Sequence, residues 1–431
     1  MRRESIARPS VLMGWRSGAT AVGNAMFISV LNQAVSSGTH FLLGLYLVRA
    51  LTPAEFGLYG IGFAICLFYA GIGNALFLTQ MVVNTPDKLQ ADRLHYAANI
   101  LMAVMLFGGF TIVCAWLVFL GGELGLPWRG DYAGYGIAVV AASVTYLLKD
   151  FFIRHAFTAR KEAWALVVSC VVAATLAGLL LFDHYSGRII TAERALWIYA
   201  MSQLAGAILG FTLARLPMRS VAWSHVHTDF REAWLGGRWA TGVNLAYWLR
   251  TQAPIYLTAW YIGPIGVGYV IAAKVLISPV YIMANPIYQV MMPRIVELRN
   301  RDRRKMLRIS GITTAGLVGF AILYSTALLG AVDIIAPVVL GPQYGQIAPL
   351  AAAWSLVLIL ELARDGAGIL FQALKRFRDL MLANAVSAGV AILSAALLLQ
   401  LVGVPGAVLG VAVGELVLIV LLWRMIRCER S

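Results

Sequence analysis

The sequence predicts an all-α polytopic membrane protein, with twelve transmembrane helices in two six-helix lobes related by a pseudo-twofold axis along the membrane normal. Three observations predict it. Of 431 residues, 60% are apolar and 13% are charged, against roughly 25% charged in an ordinary soluble domain. The apolar residues come in runs of about 20, the length that crosses a hydrocarbon core of about 30 Å. Finally, features of the first half recur in the second at a constant offset of 211 residues.

The runs place spans at 24–48, 56–79, 97–120, 133–155, 164–182, 193–215, 239–262, 266–291, 310–331, 348–371, 379–401 and 405–424. The first run is too long for the apolar core of a cleavable signal, so it reads as a span. Basic residues test the count, because they collect in cytoplasmic loops. With these spans, 26 of the 34 Lys and Arg residues fall in the tails and alternate loops, and only Arg49, Arg129, Arg188 and Arg194 fall in the opposite set. Both termini, residues 1–23 and 425–431, are therefore expected in the cytoplasm. The same asymmetry accounts for the net charge of +14 without nucleic acid, for which no binding motif is present.

Residues 216–238 divide a first lobe, 24–215, from a second, 239–424. This linker holds Trp223, His225, Phe230 and Trp234 near basic residues, which suits either a helix in the membrane interface or a plain covalent connection. In the repeat, Pro53 aligns with Pro264, Gly57 with Gly268, Asn74 with Asn285, Met81 with Met292, and Gln33 with Asn244. Six spans per half is an even number, so the repeat is parallel. Such paired bundles are expected to work by alternating access around a central cavity.

Charges inside spans are costly unless paired or wet, and mark function by default. Arg250 and Lys274 fall near mid-membrane with no acidic residue three or four positions away on their own helices. They are candidate ligands for an anionic diphosphate, since Arg gives bidentate phosphate contacts and Lys a point charge. The alternative is ion pairing with Glu361, Asp365 or Glu415. Lys149 is a secondary ligand candidate or a residue that snorkels to the interface, its neighbour Asp150 being within reach of Arg154. Glu361, Arg364 and Asp365 share a helical face, and one Arg cannot neutralise two carboxylates. One of the two is a candidate carrier of a coupling ion, unless the cluster is structural. His40, in the first span, is a further coupling candidate or a packing residue. Asn32, Gln33 and Asn244 are candidate cavity-lining residues.

The chemistry of catalysis is not visible. The four cysteines lack metal spacing, no phosphate-binding Walker loop or His-Glu-x-x-His pattern occurs, and no nucleophile elbow. No metal or cofactor is expected. A membrane-embedded glycan polymerase or transferase, the rival of another class, would be expected to carry a large outer loop.

Arg49-Ala-Leu-Thr-Pro-Ala-Glu-Phe-Gly-Leu-Tyr59 resembles the segment after the first span of bacterial polysaccharide transporters. These are the lipid-linked oligosaccharide (O-antigen-type) flippases of the multidrug/oligosaccharidyl-lipid/polysaccharide superfamily. Tyr261-Ile-Gly-Pro-Ile-Gly-Val-Gly-Tyr-Val-Ile-Ala-Ala-Lys274 is similar to the family's entrance to span eight, followed by Met292-Pro-Arg294. Leu340-Gly-Pro-Gln-Tyr344 resembles the segment before span ten. The resemblance implies a two-lobed transporter in the bacterial inner membrane. It implies movement of an undecaprenyl-diphosphate-linked glycan from the cytoplasmic to the periplasmic leaflet, beside glycosyltransferases and a glycan polymerase. The cation-coupled drug exporters of the same fold are the alternative within the superfamily. Arg250 departs from the pattern, standing in a span that is more neutral in many relatives.

Overall fold

The structure, a computed structural model, describes residues 11–85, 88–90, 92–123, 133–221, 223–298, 301–374 and 376–428. Among them are twelve continuous helices of 23 residues or more. The first half holds α1 (Val11–Ala50), α2 (Pro53–Asn84), α3 (Arg93–Glu123), α4 (Ala133–Thr158), α5 (Glu162–Tyr185) and α6 (Ala192–Ala214). The second holds α7 (Trp223–Tyr261), α8 (Pro264–Leu298), α9 (Arg303–Gly330), α10 (Ala348–Ala373), α11 (Phe377–Val402) and α12 (Val404–Cys428). A short helix, Val332–Val339, lies between α9 and α10. Nine of the described helices are long and apolar enough to cross a membrane, and the chain is a multi-pass membrane protein. The other three, α1, α7 and α10, are those that carry Asn32, Gln33 and His40; Asn244 and Arg250; and Glu361, Arg364 and Asp365.

Local signals explain where helices start. Thr52 caps α2, its hydroxyl accepting from the Glu55 amide at 3.3 Å, with Pro53 in the first turn where its missing N–H costs nothing. Glu55 itself reaches α6, accepting from the Ala192 amide at 2.5 Å. Asp302 caps α9 through the Lys305 amide at 2.9 Å. At Asn74–Leu78, α2 widens into a π-turn, a feature frequent at functional sites. There Asn74 donates to Asp150 at 2.8 Å, tying α2 to α4. The side chain of its repeat partner, Asn285, lies outside the described residues, as does that of Met292.

The linker differs from expectation. Residues 223–238 are not a separate segment but the first turns of α7. Their polar groups dock on the first half: Glu232 pairs with Lys88 at 2.9 Å, and Asp229 accepts from Asn99 at 2.7 Å. Phe230 packs on Phe77 with ring centroids 6.0 Å apart. A helix with these long-range partners has no reason to break at the predicted boundary.

The core has a directional layout. At the end of the molecule away from the linker, one apolar cluster joins both halves, with Leu47, Phe56 and Tyr199 from the first and Val270, Ile277 and Val357 from the second. At the linker end the cores are separate. One is built on Met81, Ile100 and Phe151, the other on Ile295, Met306 and Phe371.

The joint end is where the repeat motifs meet. A Cβ added to Gly57 would stand 1.8 Å from the Pro264 carbonyl oxygen, and one added to Gly268 would stand 2.0 Å from that of Pro53. The two contacts are reciprocal: each Gly faces the repeat partner of the Pro on its own helix. Farther along, Gly60 packs against Ile271, its own partner at the 211-residue offset. Only residues without side chains let α2 and α8 approach this closely, as small residues do between membrane helices generally. Nearby, Arg49 donates to the carbonyls of Val338 and of Val339, the latter at 2.9 Å, and Gln343 donates to Val48 at 3.3 Å. Gly341 has φ of +111°, which turns the chain between the short helix and Tyr344 and favours glycine.

Candidate functional site

A cavity of about 590 Å³ opens among α7, α8, α10, α11 and α12. Asn244, Tyr247, Thr251 and Gln252 face it from α7, and Lys274 and Tyr281 from α8. Trp354, Glu361, Arg364, Asp365 and Gln372 face it from α10, Asn384 from α11 and Val411 from α12. All of these belong to the second half. The expectation of a cavity shared by the two lobes is corrected to that extent. Asn244 lines it, while Asn32 and Gln33 lie elsewhere. Asn32 is buried and accepts from Ser169 at 2.8 Å, and Gln33 donates to Ser37 on its own helix at 2.9 Å. These hydrogen bonds account for Asn32 and Gln33.

Behind the wall lies a chain of charges. Arg250 and Glu415 are both fully buried, with Arg250 Nε 3.0 Å from Glu415 Oε1. Arg250 Nη1 donates to Asn384 at 2.8 Å. The second oxygen of Glu415 faces Arg364 Nε at 3.4 Å, and Arg364 Nη2 contacts Asp365 at 2.9 Å. The chain Arg250–Glu415–Arg364–Asp365 thus pins α7, α12 and α10 together. Arg250 does not reach the cavity surface, so its expected role as a direct ligand is replaced by the ion-pair alternative. Replacing one member of such a network leaves a buried charge uncompensated, which costs about 3–5 kcal/mol.

Two charged side chains in the wall stand outside this chain. Lys274 Nζ lies 4.9 Å from the centre of the Trp354 ring, a cation–π arrangement. Trp354 is itself fixed by donating from Nε1 to the Val270 carbonyl at 2.9 Å. Glu361 accepts a hydrogen bond from the Tyr281 hydroxyl, while Arg364 turns to Asp365 and Glu415. Three cations (Arg250, Lys274 and Arg364) and three carboxylates (Glu361, Asp365 and Glu415) make this region balanced in formal charge.

His40 and Lys149 are elsewhere, in a small first-half pocket with Ser36, Thr39, Ser169 and Gln203. Lys149 is 4% exposed and does not snorkel to the interface.

The family of polysaccharide biosynthesis proteins matches residues 10–299 of the sequence, two thirds of the chain. The chain belongs to the polysaccharide biosynthesis protein family. Among solved structures, this family member is similar to an inward-facing multidrug resistance MATE family transporter of the MOP superfamily, at 14% identity and a TM-score of 0.69, over 92% of this chain and 95% of that one. An outward-facing MATE transporter of the same superfamily matches at 13% identity and a TM-score of 0.63, over 94% and 96%. The lipid II flippase MurJ, in an inward closed conformation, matches at 10% identity and a TM-score of 0.63, over 95% and 87%. These likenesses fix the fold of the family member across nearly its whole length. No curated protein matches its sequence. The sequence signal for the family was the Arg49–Tyr59 and Tyr261–Lys274 segments. Glu415 was one of three partners the sequence offered for Arg250, and nothing in the sequence singled it out; the amide pair Gln252 and Gln372 was missed as cavity groups.

Proposed function

We propose that this protein is a flippase that carries an undecaprenyl-diphosphate-linked oligosaccharide from the cytoplasmic to the periplasmic leaflet of the bacterial inner membrane, in exopolysaccharide or O-antigen synthesis. The observation that carries the reading, beside the family, is the chemistry of the cavity wall. Asn244, Gln252 and Gln372 offer amides, Glu361 and Asp365 offer carboxylates, and Tyr247 and Trp354 offer aromatic faces, the mixture that pairs with sugar hydroxyls and ring faces. Lys274 adds a cation without a carboxylate contact among the described residues, placed to attract a phosphate.

The reading has twelve spans, with α1, α7 and α10 crossing because their polar residues face protein rather than lipid. The reciprocal Gly57–Pro264 and Gly268–Pro53 contacts are what a twofold axis between two lobes produces. With both termini in the cytoplasm, the joint core is the periplasmic seal, and the cavity opens inward. Glu361 is the candidate coupling carboxylate. Glycosyltransferases supply the substrate and a glycan polymerase consumes it.

Deleting the gene tests the proposal: lipid-linked oligosaccharide is expected to accumulate on the cytoplasmic leaflet. Complementation with Lys274→Ala is expected to restore folded protein but less than a tenth of the flipping rate. Normal periplasmic glycan in the deletion strain would overturn the reading. The balanced charge and the carboxylates Glu361 and Asp365 favour a second reading, export of cationic drugs. That reading predicts drug hypersensitivity on deletion with glycan export intact.

A further inference from the structure

Four helices of the first half, α1, α4, α5 and α6, enclose the pocket that holds Lys149. Its volume is about 10 Å³, room for one small occupant. Polar groups converge on it from every wall. Ser36, Thr39 and His40 come from α1, Lys149 from α4, Ser169 from α5 and Gln203 from α6. Lys149 is 4% exposed and Gln203 is 1% exposed.

Among the described residues, no carboxylate pairs with Lys149. The adjacent Asp150 is committed elsewhere, to Asn74 at 2.8 Å and Arg154 at 3.8 Å. The ammonium rests over the Tyr146 ring, 4.2 Å from its centre, which offsets only part of the cost of a cation at this depth. Gln203 Oε1 is buried without a donor. The Ser169 hydroxyl hydrogen goes to Asn32 at 2.8 Å, and that of Thr39 to the Val35 carbonyl at 2.7 Å. The uncommitted groups facing the pocket are then chiefly donors: the Lys149 ammonium, the Ser36 hydroxyl, the Gln203 amide and an N–H of the His40 ring. A buried polar cluster left unsatisfied points to an unseen water or ion. A water would satisfy hydrogen bonds but leave the charge standing; an anion does both.

We propose that this pocket binds a single monatomic anion, chloride under cellular conditions, with Lys149 as its counter-charge and Ser36, Gln203 and His40 as donors around it. A pocket of this size does not take a diphosphate-linked glycan. The proposal therefore assigns Lys149 to an ion distinct from the transported substrate, and it holds whether or not the protein is a flippase. Its consequence is that the first half is anion-stabilised, while the second balances its charges internally.

The test uses the purified full chain in detergent, with thermal unfolding followed in potassium chloride, potassium bromide and potassium gluconate at equal ionic strength. The expected result is a saturable rise in Tm with chloride and bromide over gluconate. Lys149→Met, which keeps the length and removes the charge, is expected to abolish the halide dependence. Gln203→Leu and Ser36→Ala are expected to weaken halide affinity by about tenfold each, as loss of a hydrogen bond to a charge implies; they keep the proposal testable if Lys149→Met does not fold. Crystals grown in bromide are expected to show one anomalous peak beside Lys149 Nζ. A Tm indifferent to halide in the native protein, halide dependence that survives Lys149→Met, or a water in place of bromide would each overturn the proposal.

Discussion

Gly57→Ala places one methyl group where α2 and α8 cross. The new Cβ stands 1.8 Å from the Pro264 oxygen, 2.7 Å from its carbonyl carbon and 2.9 Å from the Gly268 nitrogen. All three are backbone atoms, so no side chain can rotate away. The helices must part by more than about 1 Å, and overpacking of this kind costs about 1–3 kcal/mol. If the cost falls only on the state in which this end is sealed, the population shifts toward the opposite state by roughly 5- to 150-fold. Gly268→Ala, with its Cβ 2.0 Å from the Pro53 oxygen, is expected to act likewise. The double variant is expected to add less than the sum, because the first methyl already separates the second contact. Gly109→Ala is the control, since nothing lies within 4 Å of its added Cβ. Spin labels on Ser186→Cys and Ile262→Cys, with native cysteines replaced, report the separation of the halves at this end. A longer distance in Gly57→Ala and an unchanged one in Gly109→Ala are expected. A distance distribution identical to that of the native protein, in a folded Gly57→Ala variant, would refute the reasoning.

Other substitutions separate structural from transport roles. Arg250→Ala is expected to destabilise the second half by about 3–5 kcal/mol, seen as lower yield and Tm, and Arg250→Lys is expected not to restore it because a compact ammonium lacks the separated Nε and Nη1 donors that reach Glu415 and Asn384. Glu361→Gln keeps an acceptor for the Tyr281 hydroxyl; its transport in vesicles is expected to become independent of an imposed ion gradient, and a gradient dependence equal to the native one would remove Glu361 from coupling. Arg49→Ala removes two donors to carbonyls across the halves, and a spin-label shift in the same direction as Gly57→Ala is expected. It should be smaller, since an exposed hydrogen bond contributes about 1 kcal/mol; no shift at all would leave Arg49 a surface residue.

The helices were legible because apolar runs of bilayer length carry their own signal. The Pro53–Pro264 and Gly57–Gly268 correspondence was legible as well, and the structure gives it a physical meaning as a close crossing. The partner of buried Arg250 was legible only as one of three alternatives. Nothing near Arg250 in sequence shows that Glu415 faces it, because α7 and α12 meet only through tertiary packing, and an unpaired appearance along one helix is no measure of pairing in space. For Asp150, the pairing with Arg154 was legible from their spacing of four, while its second partner, Asn74 on α2, was not. The start of α7 was misread for a related reason. Its first turns are held by Lys88 and Asn99 of the other half, which no window of sequence contains.

The shared apolar cluster at one end and the divided clusters at the other bear on how the molecule can move. Close-packed side chains do not open by degrees, since a gap of a fraction of an ångström already forfeits much of their attraction. Parting the joint cluster would bare Leu47, Phe56, Val270 and Val357 together, and that exposure is offset only if the Met81 and Ile295 clusters merge at the far side. On the flippase proposal, a seesaw of two cores would have two resting positions and a ridge between them, so a solute held at its pivot would meet one leaflet or the other and never both.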